Sequence, residues 1–577
     1  MPQGRRKTPF SGKAKKQQMQ AKKQRQNRML FAHSHGKDDN EDDDDLTSRG
    51  AIQKINQQPR DGNSSKTGKY ALQFYNESKE EIKKRKEDSR TTIQPVSLEE
   101  QEISDNFFPP EIDLPKRPPW DYNMSKVQLD LREQRYFTEY LKNIETLKNI
   151  SYFELNLETW RQLWRVLEMC DVLLIIVDVR YPVLMFPPYL YRYVTEDLRK
   201  EIILVMNKVD LAPAALVVAW QNYFKSEYPK LRILVFTSFP DYNLRGNVSE
   251  GDGLKTRRRK GKLRMAAEGA QKLLETCKEI VGNQVDLSSW HEKIQEEIHS
   301  EYDMDDIERK DNVIIEKEDT TFFKHELYKN GVLTIGCVGT PNVGKSSLIN
   351  ALMGKKVVSV SRTPGHTKHF QTIFLTKSVC LCDCPGLVFP STVPKQLQIL
   401  MGSFPIAQVR EPYTTVKFLA ERLDLPKLLR LQHPDNDDTW SAMDICDAWA
   451  CKRNYMTAKA ARLDTYRAAN SLLRMALEGK ICLFVFPPGW TANKAKWEQH
   501  PDVEKIRWIQ ARAHADHDDI GGKVSSSSED EFEEEDDAAT HSSSTRVEDN
   551  ESSGDSTDEE PDMPTTINKF GALSTEC

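Results

Sequence analysis

The sequence predicts an α/β fold: a mostly parallel sheet with helices on both faces, built around a phosphate-binding loop and followed by a mainly helical C-terminal domain. Three observations predict it. Residues 332–338 form a short apolar β-type run that leads into Gly339-Thr340-Pro341-Asn342-Val343-Gly344-Lys345-Ser346-Ser347, and 346–352 opens as a helix. This is the strand–loop–helix context in which a Gly-x4-Gly-Lys-Ser segment wraps phosphates. A second apolar run, 202–206, ends in Asn207-Lys208-Val209-Asp210, and a third, 379–382, ends in Asp383-Cys384-Pro385-Gly386. Short apolar runs that deliver polar residues at their ends are the signature of parallel strands buried on both faces.

Each motif carries its own chemistry. In the loop, backbone N–H groups from Gly339 through Asn342, Val343 and Gly344 to Ser347 surround the phosphates, Lys345 pairs with β/γ oxygens, and the Ser346 hydroxyl ligates Mg²⁺. Asp383 arrives at the Mg²⁺ side, and the Gly386 N–H is placed to sense a γ-phosphate. Arg362-Thr363-Pro364-Gly365-His366-Thr367 is a turn-rich segment able to supply the other Mg²⁺ hydroxyl. Thr367 is favoured over Thr363 because flexible Gly365 comes just ahead of it. At the other end, the Asp210 carboxylate can accept from the N1–H and exocyclic amine of guanine, a pair that adenine lacks. Asn207 would hold the loop and touch base N7, the Lys208 stem would cover the ring, and a backbone N–H at Thr237-Ser238 would reach O6. The expected ligands are GTP and GDP.

These elements occur in an unusual order, base reader before phosphate loop. A site is defined by geometry and not by chain order, so the same sheet can be built with its chain opened elsewhere. On Asn207-Lys208-Val209-Asp210-Leu211, Asp178-Val179-Arg180-Tyr181-Pro182, residues 339–347, Thr363-Pro364-Gly365-His366-Thr367-Lys368 and Asp383-Cys384-Pro385-Gly386-Leu387, the chain resembles the circularly permuted GTPases of the YlqF/YawG group over about residues 104–510. The resemblance implies hydrolysis of GTP to GDP and phosphate with Mg²⁺, a molecular switch, a helical domain that binds protein partners, and a role in ribosome biogenesis. Asn342 resembles the asparagine that, in potassium-activated relatives, helps hold K⁺ against the phosphates. Leu387 stands where a Ras-like enzyme carries its water-orienting glutamine, so slow intrinsic turnover is expected, stimulated by K⁺ or a partner. His366 and His369 read as surface histidines of the loop.

At 577 residues the chain exceeds one core, and two folded domains with extensions are expected. The predicted boundaries are a disordered basic and polar region 1–103, a helical extension 104–155, the nucleotide domain 156–392 with an insertion at about 245–325, the helical domain 393–515, and a disordered acidic, Ser-rich and phosphorylatable tail 516–577. In the extension, Ser125 and Gln128 form a capping box for a helix with a loose apolar face of Val127, Leu131, Gln134 and 136–141. Trp160, Leu163, Trp164 and Leu167 recur at helical spacing behind an Asn156 cap and read as core. Later helices are predicted at 394–401 and 464–477, the second capped by Asp464 and followed by Gly479, with 480–490 a closing strand or turn. Because the loop after Gly386 leads straight into 393–515, γ-phosphate loss is expected to reposition that domain.

Charge is strongly uneven along the chain. Residues 1–28 carry ten Lys/Arg and no acid, and 255–264 carry seven Lys/Arg. Residues 516–562 carry nineteen Asp/Glu and two Lys/Arg, so that removing this net −17 from the chain's −6 leaves +11 on the rest. The arm suits ribosomal RNA or a pre-ribosomal particle through phosphate contacts, a nuclear or nucleolar address, or a solvated tail. The basic insertion is a second RNA contact or a solvated loop. Cys380, Cys382 and Cys384 alternate as in a reduced core strand. No apolar run approaches membrane length, and the expected location is nucleus or nucleolus and cytoplasm. The competing function class is a signalling or scaffold protein that binds GTP and a protein partner, without a ribosome.

Overall fold

Apolar runs alternating with helices assemble a six-stranded sheet. The computed structural model describes residues 78–237 apart from 148, then 264–299, 326–354, 357–358, 370–457 and 462–510, together with the short strands Lys54–Ile55, Phe74–Tyr75, Tyr242–Arg245 and Thr256–Arg259. The sheet comprises β1 (Val172–Asp178), β2 (Glu201–Asn207), β3 (Arg232–Val235), β4 (Leu333–Val338), β5 (Gln371–Thr376) and β6 (Val379–Asp383), in spatial order β3-β2-β1-β4-β6-β5. Every neighbouring pair is parallel except β6–β5, a tight antiparallel hairpin. β1 has all seven residues buried, as a central strand covered on both faces must.

Sequence order runs outward from β1 to β3 on one side, and on the other β4 is followed outward by β6 and then β5, the hairpin folding back so that its second strand lies beside β4. The direction reverses between β1 and β4, and in such sheets ligands bind at the carboxyl ends of the strands beside that switch. All the polar termini named above, Asp178, Asn207, Thr237, Gly339 and Asp383, fall at that edge.

The helices of seven residues or more among the described residues are α1 (Lys79–Asp88), α2 (Lys126–Glu145), α3 (Leu157–Met169), α4 (Ala214–Glu227), α5 (Arg264–Val281), α6 (Ser288–His299), α7 (Lys345–Met353), α8 (Lys395–Met401), α9 (Tyr413–Ala420), α10 (Ala442–Lys452), α11 (Thr465–Leu477) and α12 (Asp502–Ile509). Local signals explain their starts. Ser125 and Gln128 form the capping box of α2, and Asn156 and Asp464 cap α3 and α11. Trp160 and Trp164 are core, their ring N–H groups donating to the Glu154 and Pro115 carbonyls at 2.9 and 2.7 Å. None of these helices is long and apolar enough to cross a membrane.

Several expectations are corrected. The buried face of α2 is Leu129, Glu133, Phe137 and Ile144, while Val127 and Leu131 are exposed. An acid sits in this stripe because Arg117 and Arg161 hold Glu133 at 3.0 and 2.7 Å, and a charge inside an apolar face masks its period. Structure begins before residue 104: α1 has its own capping box, and the strap after it bonds backbone to backbone, Ile93 to Trp440, Val96 to Glu421 and Ile103 to Phe486. Main-chain pairing needs few apolar residues and leaves little trace in composition. Within the insertion the helical pattern of 265–281 is α5, but α5 and α6 bury Leu273, Leu274 and Trp290 and belong to the fold, while the basic stretch includes a strand, Thr256–Arg259, paired with Tyr242–Arg245. Of the strand or turn expected over 480–490, the structure takes the turn, at 488–490, and Phe486 makes an isolated bridge to Glu102.

The C-terminal helices share one compact unit with the sheet, Met1–His517, and the second unit, Asp518–Cys577, lies outside the described residues. Within the first unit, the Trp220 ring N–H donates to the Val485 carbonyl at 3.1 Å, and the Gln510 amide donates to the Val209 and Ala212 carbonyls at 2.7 and 2.8 Å. These buried bonds dock the helical region against α4 and the base-reading turn.

Candidate functional site

The phosphate loop follows β4 and opens α7. Gly344, with φ 98°, is the N-cap of α7, and Asn342 also has positive φ, 61°. This curl turns successive N–H groups inward, as anion binding at a helix N-terminus requires. Lys345 is buried, and its ammonium donates to the Gly339 and Thr340 carbonyls at 3.0 and 2.9 Å. Burial lowers its pKa, with Asp383 acting in the opposite sense. Ser347 is buried in the first turn of α7, and the Ser346 hydroxyl donates to Asp383 Oδ2 at 2.9 Å.

Asp383 ends β6, entirely buried. Burial pushes its carboxyl up to about 6, against the opposing pull of Lys345 and Ser346. Its Oδ1 has no hydrogen-bond donor among the described residues. A buried anionic oxygen without a donor, beside a serine hydroxyl at the end of the phosphate loop, suits a hard oxygen-seeking cation such as Mg²⁺. Gly386 lies against the loop: a Cβ there would meet Pro341 Cα at 2.8 Å. The Leu387 N–H donates to the Gly339 carbonyl at 3.2 Å, and the leucine side chain is fully buried.

The other half of the site hangs from β2. The Asn207 amide donates to the Val343 carbonyl at 2.7 Å, and Lys208, with φ 60°, sends its ammonium to Asp178 at 2.8 Å and to the Asn342 carbonyl at 2.6 Å. Asp210 and Thr237 are buried and bonded, hydroxyl to carboxylate, at 3.0 Å. The structure therefore brings together Asn207, Lys208, Asp210, Thr237, the loop 339–347, Asp383 and Gly386. Ser238, Thr363, His366, Thr367 and His369 lie outside the described residues, as do the basic arm 1–28 and the acidic tail.

Two partners went unread in the sequence. Asp178 and Arg180 form a buried ion pair at 2.8 Å. Burial alone would raise the Asp178 carboxyl, but Arg180 and Lys208 hold it well below the usual carboxylate range. A charged pair two residues apart at the end of an all-apolar strand was the available signal. The second is Gly402, whose carbonyl accepts from the Asn342 amide at 3.3 Å. Cys380, Cys382 and Cys384 are buried, as a core strand requires.

Comparison with known proteins agrees with this arrangement. A family model described as 50S ribosome-binding GTPase matches residues 334–418. Guanine nucleotide-binding protein-like 1 of Mus musculus is 48% identical over 546 residues, covering 88% of this chain and 90% of that one. The chain belongs to the guanine nucleotide-binding protein-like 1 family of circularly permuted GTPases. The Homo sapiens member of the guanine nucleotide-binding protein-like 1 family is 47% identical over 549 residues, with the same coverage. Outside that family, Large subunit GTPase 1 homolog of Mus musculus is 32% identical over 442 residues, 68% of each chain. Among solved structures, GNP-bound YlqF from T. maritima aligns with TM-score 0.33 and 18% identity, over 57% of this chain and 97% of that one.

Proposed function

We propose that this protein binds GTP and GDP at the edge of β2, β4 and β6, hydrolyses GTP slowly, and works as a nucleotide switch in ribosome biogenesis, joining or leaving a pre-ribosomal particle. The observation that carries the nucleotide reading is the seam between the two half-sites. Asn207 and Lys208 are bonded to the Val343 and Asn342 carbonyls, so a base reader and a phosphate cradle form one continuous surface. Such a seam holds a base and a phosphate chain at once.

In this reading each residue has a task. Asp210, steadied by Thr237, accepts from guanine, and Asn207 fixes the turn that carries it. Ser346 and Asp383 would hold Mg²⁺, with Thr367 as a further hydroxyl. The ion supplies charge neutralisation across the β- and γ-phosphates. Lys345 pairs with those oxygens, and the Gly386 N–H senses the γ-phosphate. Leu387 is apolar and buried, so the chain offers no water-orienting group there. We assign that role to K⁺ held at Asn342 Oδ1 or to a group supplied by a partner, and turnover equal in KCl and NaCl, with or without particles, would refute the assignment.

The ribosomal role draws support from the 50S ribosome-binding description of the family model, from Large subunit GTPase 1 homolog as a relative, and from the charge of the arm and of 255–264. We take the basic segments as contacts to RNA phosphates and the arm also as a nuclear or nucleolar address. Sedimentation through a sucrose gradient tests the reading. Co-migration with ribosomal particles in a non-hydrolysable GTP analogue, lost in GDP and in Lys345→Ala, is the expected result. Protein that stays at the top in every nucleotide refutes the ribosomal role and leaves a switch whose partner is a protein.

A further inference from the structure

Arg180 lies outside the roles above, yet every nitrogen of its guanidinium is bonded. It is fully buried. Its Nε and one terminal nitrogen bond the two Asp178 oxygens at 3.0 and 2.8 Å. Its other terminal nitrogen donates to the Ala476 carbonyl at 2.7 Å, and the one on Asp178 also reaches the Leu477 carbonyl, at 3.3 Å. Those carbonyls close α11, where a helix leaves its last acceptors unsatisfied and its dipole is negative. The main chain of Arg180 is held too: its N–H donates to Asp178 Oδ1 and its carbonyl accepts from Val485, both at 3.0 Å.

The chain of bonds ends at the nucleotide site. Asp178, fixed by Arg180, accepts from the Lys208 ammonium, as does the Asn342 carbonyl of the phosphate loop. The end of α11 also presses on the base-reading turn directly: Gly479 has φ 80°, and a Cβ there would meet Leu211 Cδ2 at 2.7 Å. Gln510 grips the same turn from beneath through the Val209 and Ala212 carbonyls.

We propose that Arg180 is a positioning residue for nucleotide binding, which fixes Lys208 through Asp178 and, through the last carbonyls of α11, makes the seating of the C-terminal helices part of the guanine site. The proposal rests on the guanine nucleotide reading above. Linkage then runs both ways: nucleotide steadies the end of α11, and whatever lifts α11 releases nucleotide. A partner that pulls on α11 would act as an exchange factor without touching the nucleotide.

Hydrogen exchange on the full wild-type chain, with and without saturating GDP, decides it. The expected result is slowed exchange in the phosphate loop, 339–347, together with slowing of at least about fivefold at the amides of 479–481 and Val485. Protection of the loop with 479–485 unchanged overturns the coupling and leaves GDP binding intact. No protection anywhere overturns the GDP reading and the proposal with it. Arg180→Lys adds a kinetic readout, since lysine keeps the charge but cannot bond both Asp178 oxygens and both carbonyls. Release of fluorescent GDP should be faster by about fivefold or more in folded protein. A purely structural role would reduce the folded fraction and leave that release rate unchanged, which would overturn the proposal.

Discussion

Asp383 links the chemistry of the site to the stability of the fold. Its carboxyl rises from 3.8 to about 6 because burial disfavours the charged form more than Lys345 and Ser346 favour it. A carboxyl raised in the folded state leaves the fold unpenalised below the unfolded value and destabilises it increasingly as pH climbs through the folded value. The window here is about pH 4 to 6, and the penalty above it is ~3 kcal/mol as an upper bound. Asp383→Asn keeps the shape and can still accept from Ser346, but carries no charge. In urea unfolding at pH 7.5 the variant should be more stable than wild type by about 1–3 kcal/mol. At pH 4.5 the gap should largely close, because most wild-type Asp383 is then protonated. Mg²⁺ with GDP should narrow the gap at pH 7.5 by stabilising wild type alone, while turnover is lost in the variant. A variant no more stable than wild type at pH 7.5, or equally advantaged at both pH values, refutes the reasoning.

Other outcomes follow from single contacts. Asn207→Ala removes the donor to the buried Val343 carbonyl and should weaken GDP binding roughly tenfold or more, read by fluorescent-nucleotide titration. Asp210→Asn exchanges an acceptor for a donor, so competition binding should show preference moving from guanine toward xanthine nucleotides. Glu133→Ala removes an acid partner shared by Arg117, which keeps Glu168, and Arg161, which keeps Asp130 and Glu158, and should destabilise the fold by about 1–3 kcal/mol, seen as a lower urea midpoint. Finally, Thr340 Oγ1, Gln398 Oε1 and Ser403 Oγ, each without a hydrogen-bond partner among the described residues, belong to residues lining one cavity of about 10 Å³. That is room for one water, and a high-resolution crystal structure should show it bridging the phosphate loop to α8.

The sheet and the site were legible for different reasons. Strands β1, β2 and β6 are short apolar runs that stop at a polar residue, where a site side chain is presented, and β4 stops just before the first glycine of the loop. The loop 339–347 has fixed spacing because successive N–H groups must converge on one anion. What stayed hidden depends on partners remote in sequence. Arg180 finds its helix carbonyl 296 positions away, and no local period records it. Glu133 broke the apolar stripe of α2 because its partners Arg117 and Arg161 lie outside that helix. The strap before residue 104 pairs through its main chain, which composition does not register. Asn342 was read for an ion, and its amide meets the Gly402 carbonyl, a contact set by how α8 ends.

The strap after α1 has a mechanical consequence. Ile93, Val96 and Ile103 bond backbone to backbone with Trp440, Glu421 and Phe486, and the Glu102 carboxylate accepts from the Gly489 and Thr491 N–H groups at 2.6 and 2.7 Å. The segment ahead of the sheet is thus buckled to the segments that come after it, and a tension applied upstream of Ser78 must first shear these bonds before it strains β1.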